Sequence, residues 1–467
     1  MSRNKKLLSN AMIFIIGNFG SKVISLLLVP MYTYFLTAEQ YGTIDLLITS
    51  LNLCLPLISF SLFDAVFRFV MNKRMDATKV LSTGFISMCL LLLCLGLISP
   101  ILAIVHVPNV VLFVLILGSS AILTMFQNFV RAYGQAKTVA IAGIVNSLAL
   151  VFLNVLLIIR MRMKVEGYLL SYLIATLIAI TYLVVRIKLW QFIRLTAFSK
   201  ELLTKMLRYS VPLIPNTLAW WFTNSVGRFL ILYFVGITAN GLFAVANKVP
   251  TIINLCFAFF IQAWQISVVD EYSSPDRSEY YSRVFKALQQ VMFLLTAILI
   301  SLIKPMTAVF FASDYYESWQ YLPILLVAVV FMNFASFLGT IYLAAEKTTG
   351  LVTTTVYGMV INLLVSGCLT PLLGINGTGI GMGAGFLIMM LLRLHHLKKF
   401  VPIVMPWKVA NISLIGLLIT TLGLYSTSLM VEALLMGIGL VLVVVVNREI
   451  VINLFRLIMS LAPQKIT

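Results

Sequence analysis

The chain has 467 residues, 61% of them hydrophobic and only 10% charged, with a mean hydropathy of +1.05, far from the soluble norm of roughly a quarter charged. Long apolar runs joined by short loops exclude a soluble domain of any size, and a transmembrane β-barrel would alternate rather than run continuously apolar. The net charge of +18 and pI near 9.7 belong to no folded soluble domain, so they are read as a topology signal and not as nucleic-acid binding.

Arg3, Lys5 and Lys6 precede an apolar run from Leu7 to about Leu36. Without a small-residue cleavage site, this run reads as a retained first span rather than a signal peptide. Its polar face is Asn18, Ser21, Lys22 and Ser25, and Pro30 is placed to kink it. Lys22 has two readings, snorkelling to an interface or facing a watery cavity. Its depth inside the run favours the cavity. Thr37 to Gly42 is expected to turn the chain into a second span, along one face of which lie Asp45, Thr49, Asn52, Pro56 and Ser59, with Asp64 and Arg68 near the far end. Asp45 either pairs with a cation or sits at the outer interface.

Further spans are expected at about 80–105, 110–133, 138–159 and 166–187. The basic, amphipathic stretch from Lys188 to Tyr209, KLWQFIRLTAFSKELLTKMLRY, is too charged to span. It reads as an interfacial connector between two halves, with a lipid-binding site as the weaker alternative.

The stretch from Leu207 to Asp270 then sets cations inside two apolar spans. A charge near a bilayer midplane costs roughly 2.5–3.5 kcal/mol on insertion scales, so it usually faces protein or water and marks a function. On a helix, Asn216, Trp220, Asn224 and Arg228 recur every four residues and share a face, and in the next span Ala244, Asn247, Thr251 and Asn254 form a second stripe with Lys248 at its edge. Together they suggest a cationic cavity lined by amides, hydroxyls and aromatic rings.

Spans resume at about 284–312, 320–343, 350–371 and 378–396, with two more near 409–428 and 432–447. The expected fold class is all-α, a polytopic membrane protein of about 14 transmembrane helices. The five cysteines, at 54, 89, 94, 256 and 368, all fall in apolar spans and read as packing residues. The glycines 374, 377, 379, 381, 383 and 385 lack the Lys-Ser/Thr of a phosphate loop and read as close helix packing. Loop lysines and arginines crowd the amino-terminal side, leaving only Arg160, Arg162, Lys164 and Lys304 opposite, so both termini are expected in the cytoplasm.

An internal repeat is visible. Phe35–Gly42 (FLTAEQYG) aligns with Phe234–Gly241 (FVGITANG), Gln135–Thr138 with Ala345–Thr348, and Val165–Gly167 with Ile375–Gly377. Six spans per half give both halves the same orientation and place a site where they meet. The expected organisation is 1–187 as an amino-terminal six-helix lobe, 188–207 as a cytoplasmic linker, 208–397 as a second six-helix lobe in parallel pseudo-repeat, and 398–467 as two additional helices and a tail.

The string RYSVPLIPNTLAWWFTNSVGRFLI, followed by GLFAVANKVPTI and FIQAWQIS, resembles the oligosaccharide flippases of the MOP superfamily, the Wzx-type polysaccharide exporters. LAAEKTTG and GMVINLLVSGCLTPLLGINGTGIG resemble the same family's second half, and NAMIFIIGNFGSKVISLLLVPMYTYFLTAEQYG its start. The resemblance implies alternating-access export of a polyprenyl-pyrophosphate-linked oligosaccharide (a capsule, exopolysaccharide, O-antigen or teichoic acid precursor) across the cytoplasmic membrane. Cavity cations would meet the pyrophosphate. On this reading the substrate-binding candidates are Lys22, Arg228, Lys248, Asn18, Asn224, Trp220 and Asn247, the ion-coupling candidates are Asp45 and Asp64, and no metal or cofactor is called for. The partners implied are the lipid-linked oligosaccharide, membrane lipids, and the polysaccharide polymerase and glycosyltransferases of the same pathway, with no nucleic acid. One departure is Gly227, where the resemblance has an acidic residue beside the arginine.

No catalytic constellation competes. His106, His395 and His396 are the only histidines, the last two read as favouring a helix dipole, and a glycosyltransferase or polymerase would need a catalytic domain or a large loop that the chain lacks. The rival is a MATE-like multidrug or organic cation antiporter, which needs buried carboxylates. The spans carry Lys22, Arg228 and Lys248 against only Asp45 and Asp64, which favours an anionic ligand.

Overall fold

The computed structural model describes residues 24–452, apart from 25, 73–74, 105–108 and 346. Among the described residues there is no strand, and twelve helices are long and apolar enough to cross a membrane. The two other expected spans are the first, described here as α1 (Leu26–Phe35), and α9 (Ile214–Phe234), whose 21 residues carry the polar stripe. The protein is a polytopic all-α membrane protein.

The chain divides into two compact units, Met1–Ser225 and Val226–Thr467. The first holds α1, α2 (Ala38–Ile58), α3 (Leu62–Met71), α4 (Ala77–Ile104), α5 (Val110–Ala132), α6 (Ala136–Asn154), α7 (Lys164–Ile187), α8 (Lys200–Ser210) and the start of α9. Its core packs Val66 of α3, Leu81 of α4, Met125 and Phe129 of α5, Leu183 of α7 and Met206 of α8.

Three features of this unit differ from the expectations. The connection before α2 is shorter than a turn over Thr37–Gly42, because Thr37 and Gln40 form a reciprocal capping box that starts the helix at Ala38. The second span is broken in two. Pro56 removes a helix donor, Phe60 and Ser61 adopt left-handed backbone (φ 49° and 51°), and Ser210 Oγ donates to the freed Phe60 carbonyl at 2.7 Å. In the connector, only α8 is helical beyond a turn. Ser82 Oγ donates to the Phe192 carbonyl and accepts from Arg194 N, and Thr83 Oγ1 accepts from Ser199 N, so the chain from 188 to 199 follows α4 instead of coiling. Helix starts only where Ser199 caps Leu202 N.

The second unit holds the rest of α9, α10 (Ile237–Ala246), α11 (Pro250–Asp270), α12 (Arg277–Ser301), α13 (Ile303–Phe310), α14 (Leu322–Ala344), α15 (Thr348–Leu373), α16 (Ile375–Leu397), α17 (Trp407–Leu424) and α18 (Leu429–Val446). Its core is aromatic. Trp264 stacks on Phe337 at 4.6 Å and Phe337 on Phe285 at 5.2 Å, while Trp264 Nε1 donates to Thr340 Oγ1.

Gly377, Gly381 and Gly385 of α16 pack closely on α15 and Gly379 on Ile324 of α14, whereas nothing crowds Gly374 and Gly383 makes only ordinary contact. A Cβ at Gly377 or Gly381 would run into Leu369 or Ser366 of α15, and one at Gly385 would lie 2.7 Å from the Gly358 carbonyl. Gly167, the repeat partner of Gly377, likewise abuts the Leu157 carbonyl of the preceding helical stretch. The repeat shows again where α2 begins at Ala38 and α10 at the equivalent Ile237, but not at the third aligned site, where α6 begins at Ala136 and α15 at Thr348, the equivalent of Thr138.

At one end of the second unit, Lys304 Nζ meets both Glu432 oxygens at 2.9 Å and lies 5.1 Å above the Trp319 ring. The pair is about one-fifth exposed on each side, so removing one partner strands a largely desolvated charge. Glu432→Gln should lower stability by about 1–2 kcal/mol, after discounting for that exposure, measured as a lower unfolding midpoint in detergent. An unchanged midpoint would show that α18 is held by apolar packing alone.

Candidate functional site

The α9 face predicted from i, i+4 spacing is present in the helix. Asn216, Trp220, Asn224 and Arg228 are all half-buried, and Asn224 Nδ2 donates to the Trp220 carbonyl at 2.8 Å. Beside them, Trp221 Nε1 donates to the Thr49 carbonyl of α2 at 3.1 Å within the first unit. Lys22 and Asn18 lie outside the described residues.

Arg228 places its guanidinium carbon 5.6 Å from the centroid of Phe243 on α10, within cation–π range. Phe243 is 1% exposed. Gly227 sits directly against Thr378 of α16, where even a Cβ would collide. The acidic neighbour that the resemblance would put at 227 therefore has no room, and the ring of Phe243 faces the cation.

Lys248 and Asn247 occupy a different setting from the one expected. Instead of lying along one helical stripe, they fall at the interruption between α10 and α11. Lys248 N bonds the Val245 carbonyl and Val249 N the Ala246 carbonyl, both i to i−3, and Pro250 then restarts the helix at its first turn. The cause is Pro250, which supplies no N–H for the α-helical ladder. Side chains add second bonds to carbonyls that the backbone already engages: Asn247 Nδ2 donates to Phe243 O at 2.9 Å alongside Asn247 N, and Thr251 Oγ1 donates to Lys248 O alongside Thr251 N. Phe243 thus receives Arg228 on its ring and Asn247 on its carbonyl. Ala244 is buried, and Asn254 Oδ1 finds no partner among the described residues.

Broken backbone at membrane depth is tolerated only where protein or water covers it, and in transporters such breaks accompany ligand sites. Within the second unit, the Arg228 guanidinium, the Lys248 ammonium and the Asn247 amide are groups of the kind that bind oxyanions through charge-assisted hydrogen bonds.

The two carboxylate candidates are not brought together. Asp45 on α2 is half-buried and acts electrostatically on Tyr168, which belongs to a cluster with Tyr32 and Tyr41 at ring distances of 5.5 and 5.8 Å around Tyr32. Buried Asn154 donates to Tyr32 Oη at 2.7 Å. Asp64 lies beyond the break, in the first turn of α3, and feels Arg131. That arginine sits 4.4 Å above the Phe67 ring and donates to Asn128 Oδ1.

One charged residue escaped the sequence reading. Arg393 of α16 is fully buried and joins three helices, donating from Nε to Thr354 Oγ1 at 3.1 Å, from Nη2 to Thr355 Oγ1 at 3.0 Å and from Nη1 to the Ala335 carbonyl. Gly339 leaves room for it, since a Cβ there would lie 2.8 Å from Nη1. His396 Nδ1 meets Tyr342 Oη at 3.2 Å, so this histidine engages a neighbouring helix as well as its own terminus. The available signal was the one used for Arg228, a lone arginine in an apolar run. Its nearness to the basic end of the span concealed it.

Among solved structures, the fold is similar to that of a lipid II flippase, MurJ, in an inward closed conformation, with a TM-score of 0.73 and 14% identity over 95% of this chain and 100% of that one. It is also similar to an inward-facing multidrug resistance MATE family transporter of the MOP superfamily (TM-score 0.68, 14% identity, 81% of this chain and 95% of that one). A Vibrio cholerae MATE transporter, VcmN, matches with a TM-score of 0.58 and 16% identity, over 85% of this chain and 97% of that one. At these identities the likeness carries the fold alone. No curated protein matches the sequence. The polysaccharide biosynthesis protein family matches residues 7–265, more than half of the chain, and the chain belongs to that family.

Proposed function

We propose that the protein is a flippase that moves a polyprenyl-pyrophosphate-linked oligosaccharide from the cytoplasmic to the outer leaflet by alternating access through a cationic cavity. The family match over residues 7–265 carries this reading. The site residues are supported by the intramembrane Arg228 on Phe243 and by the break at Asn247 and Lys248. Arg228 and Lys248, with Lys22, meet the pyrophosphate; Asn18, Asn224, Asn247 and Trp220 contact the remainder of the ligand. Residues 1–187 and 208–397 are the two parallel lobes, joined by 188–207 and followed by 398–467. The protein resides in the cytoplasmic membrane with both termini in the cytoplasm, as the loop lysines and arginines favour, and works alongside the polymerase and glycosyltransferases that make and use its cargo. A transporter that only moves its ligand needs no catalytic group.

The MATE transporters that share the fold make organic cation export the second reading. A cation needs a carboxylate to receive it, whereas the cations at 228 and 248 repel it. Asp45 and Asp64 remain for ion coupling on the return step.

A pyrophosphate carries about two negative charges, and each charge crossing 100 mV is worth about 2.3 kcal/mol, so an inside-negative membrane drives loaded outward movement by several kcal/mol. Vesicles with the protein, a labelled lipid-linked oligosaccharide and a potential clamped by potassium and valinomycin should show flipping that accelerates with inside-negative potential and slows when the sign is reversed. Export of an organic cation against protons or sodium, with no movement of the sugar lipid, would establish the second reading instead.

A further inference from the structure

A cleft of about 410 Å³ opens at the carboxyl end of α3, lined by Arg68, Phe69 and Asn72 and by Tyr209 of α8. It lies wholly within the first unit, to which α10 and α11 do not belong. Arg68 is exposed and makes no ion pair or hydrogen bond among the described residues. The nearest acidic residue in the sequence, Asp64, is one turn back and feels Arg131. Phe69 and Tyr209 meet edge to face at 6.3 Å, giving the cleft an aromatic wall with a phenol and an amide at its rim.

The surroundings are amphiphilic. Arg208, next to Tyr209, is exposed and basic, and along the chain Met71, Val211 and Leu213 are 54%, 42% and 37% exposed. Leu202, Met206 and Ser210 of α8 are buried in the unit, which leaves Lys200, Lys205 and Arg208 outward. That is the pattern of a helix lying along an anionic membrane surface. A small soluble anion gains nothing from the apolar border. A phospholipid places its phosphate on the guanidinium, which engages it bidentately, and its chains along the aliphatic residues.

We propose that this cleft is a binding site for the phosphate headgroup of an anionic phospholipid, anchoring α8 and the end of the second span to the membrane surface. The inference rests on the chain spanning a membrane and not on what it exports.

The test uses the full-length protein purified in detergent, with phosphatidylglycerol, phosphatidylcholine of the same chains, inorganic phosphate and a polyprenyl phosphate as probes. Native mass spectrometry counts bound lipid and thermal unfolding reports stabilisation. Wild type should retain one more phosphatidylglycerol than Arg68→Gln and gain several degrees from it, with affinity at least about tenfold lower in Arg68→Gln and lowered in Tyr209→Ala. Arg68→Lys should keep part of the effect. Equal phosphatidylglycerol binding by wild type, Arg68→Gln and Tyr209→Ala would overturn the proposal. So would equal stabilisation by phosphatidylcholine, which marks apolar contact only, or by inorganic phosphate, which marks a small-anion site. Displacement of phosphatidylglycerol by an equal concentration of polyprenyl phosphate would assign the cleft to cargo and overturn it as well. If Arg68→Gln fails to fold, the Arg68→Lys and Tyr209→Ala pair carries the comparison. Transport is not read, so failure of the flippase reading leaves this result standing.

Discussion

Arg228→Ala is expected to abolish or strongly reduce export while the protein stays in the membrane at near wild-type amounts. The reason is an asymmetry between folding and function at this position. Arg228 contributes a half-buried contact with the Phe243 ring, worth about 0.5–2 kcal/mol, and removing an intramembrane cation also eases insertion. A bidentate contact with a phosphate is larger, at about 1.5–3 kcal/mol per charge-assisted hydrogen bond, which corresponds to roughly 10- to 100-fold per bond lost. Arg228→Lys should rescue only in part, since an ammonium keeps the charge and loses the planar fork. Lys248→Ala should also impair export, with the helix break intact, because Pro250, Asn247 and Thr251 hold the break without the Lys248 side chain. Export is read as surface polysaccharide in a flippase-deficient cell and as lipid-linked oligosaccharide flipping in vesicles. Full export by the double alanine variant, at normal abundance, would remove these cations from the mechanism.

Arg393→Ala should act in the opposite way, by unfolding the protein. Its side chain is fully buried and bridges α14, α15 and α16 through Ala335, Thr354 and Thr355. Truncating a buried side chain of this size leaves a cavity, and the cross-helix bonds go with it, for a combined cost of about 3–5 kcal/mol. That is a large share of a typical net stability of about 5–15 kcal/mol, so the variant should be scarce in the membrane and should lose its monodisperse elution after solubilisation. Arg393→Met separates the two contributions, because it restores most of the volume and none of the hydrogen bonds. Arg393→Lys restores the charge and cannot reach three acceptors in three directions. A midpoint for Arg393→Ala within two or so degrees of wild type would show that the three helices pack without this bridge.

These two arginines illustrate what a sequence can and cannot convey. Both are lone cations in apolar runs, and the cost of burying charge flags them equally. Which one is a structural bridge depends on Gly339 opening space and on Thr354 and Thr355 arriving from another helix, and no local pattern encodes that convergence.

Most spans were legible because bilayer thickness and backbone hydrogen bonding leave few choices for long apolar runs, although the expected 284–312 is α12, Arg277–Ser301, followed by the separate α13. The expected 110–133 is α5, Val110–Ala132, and the expected 378–396 is α16, Ile375–Leu397. Close packing at Gly377, Gly379, Gly381 and Gly385 was legible for a similar reason, since small residues admit a close helix neighbour whatever its identity; that Gly379 meets α14 and the others α15 was not. The repeat was legible at the helix starts Ala38 and Ile237.

Tertiary structure alone decided where helices break and what each polar group meets. Pro56 and Pro250 are equally visible in the sequence, yet one sits before a left-handed pair at Phe60 and Ser61 that Ser210 satisfies from 150 residues away, while the other restarts a helix beside Lys248. A proline announces that a donor is missing. Only the neighbours that supply replacement bonds determine whether the chain kinks, breaks or presents a cation there, because in hydrocarbon every freed backbone group must be answered by some other part of the fold.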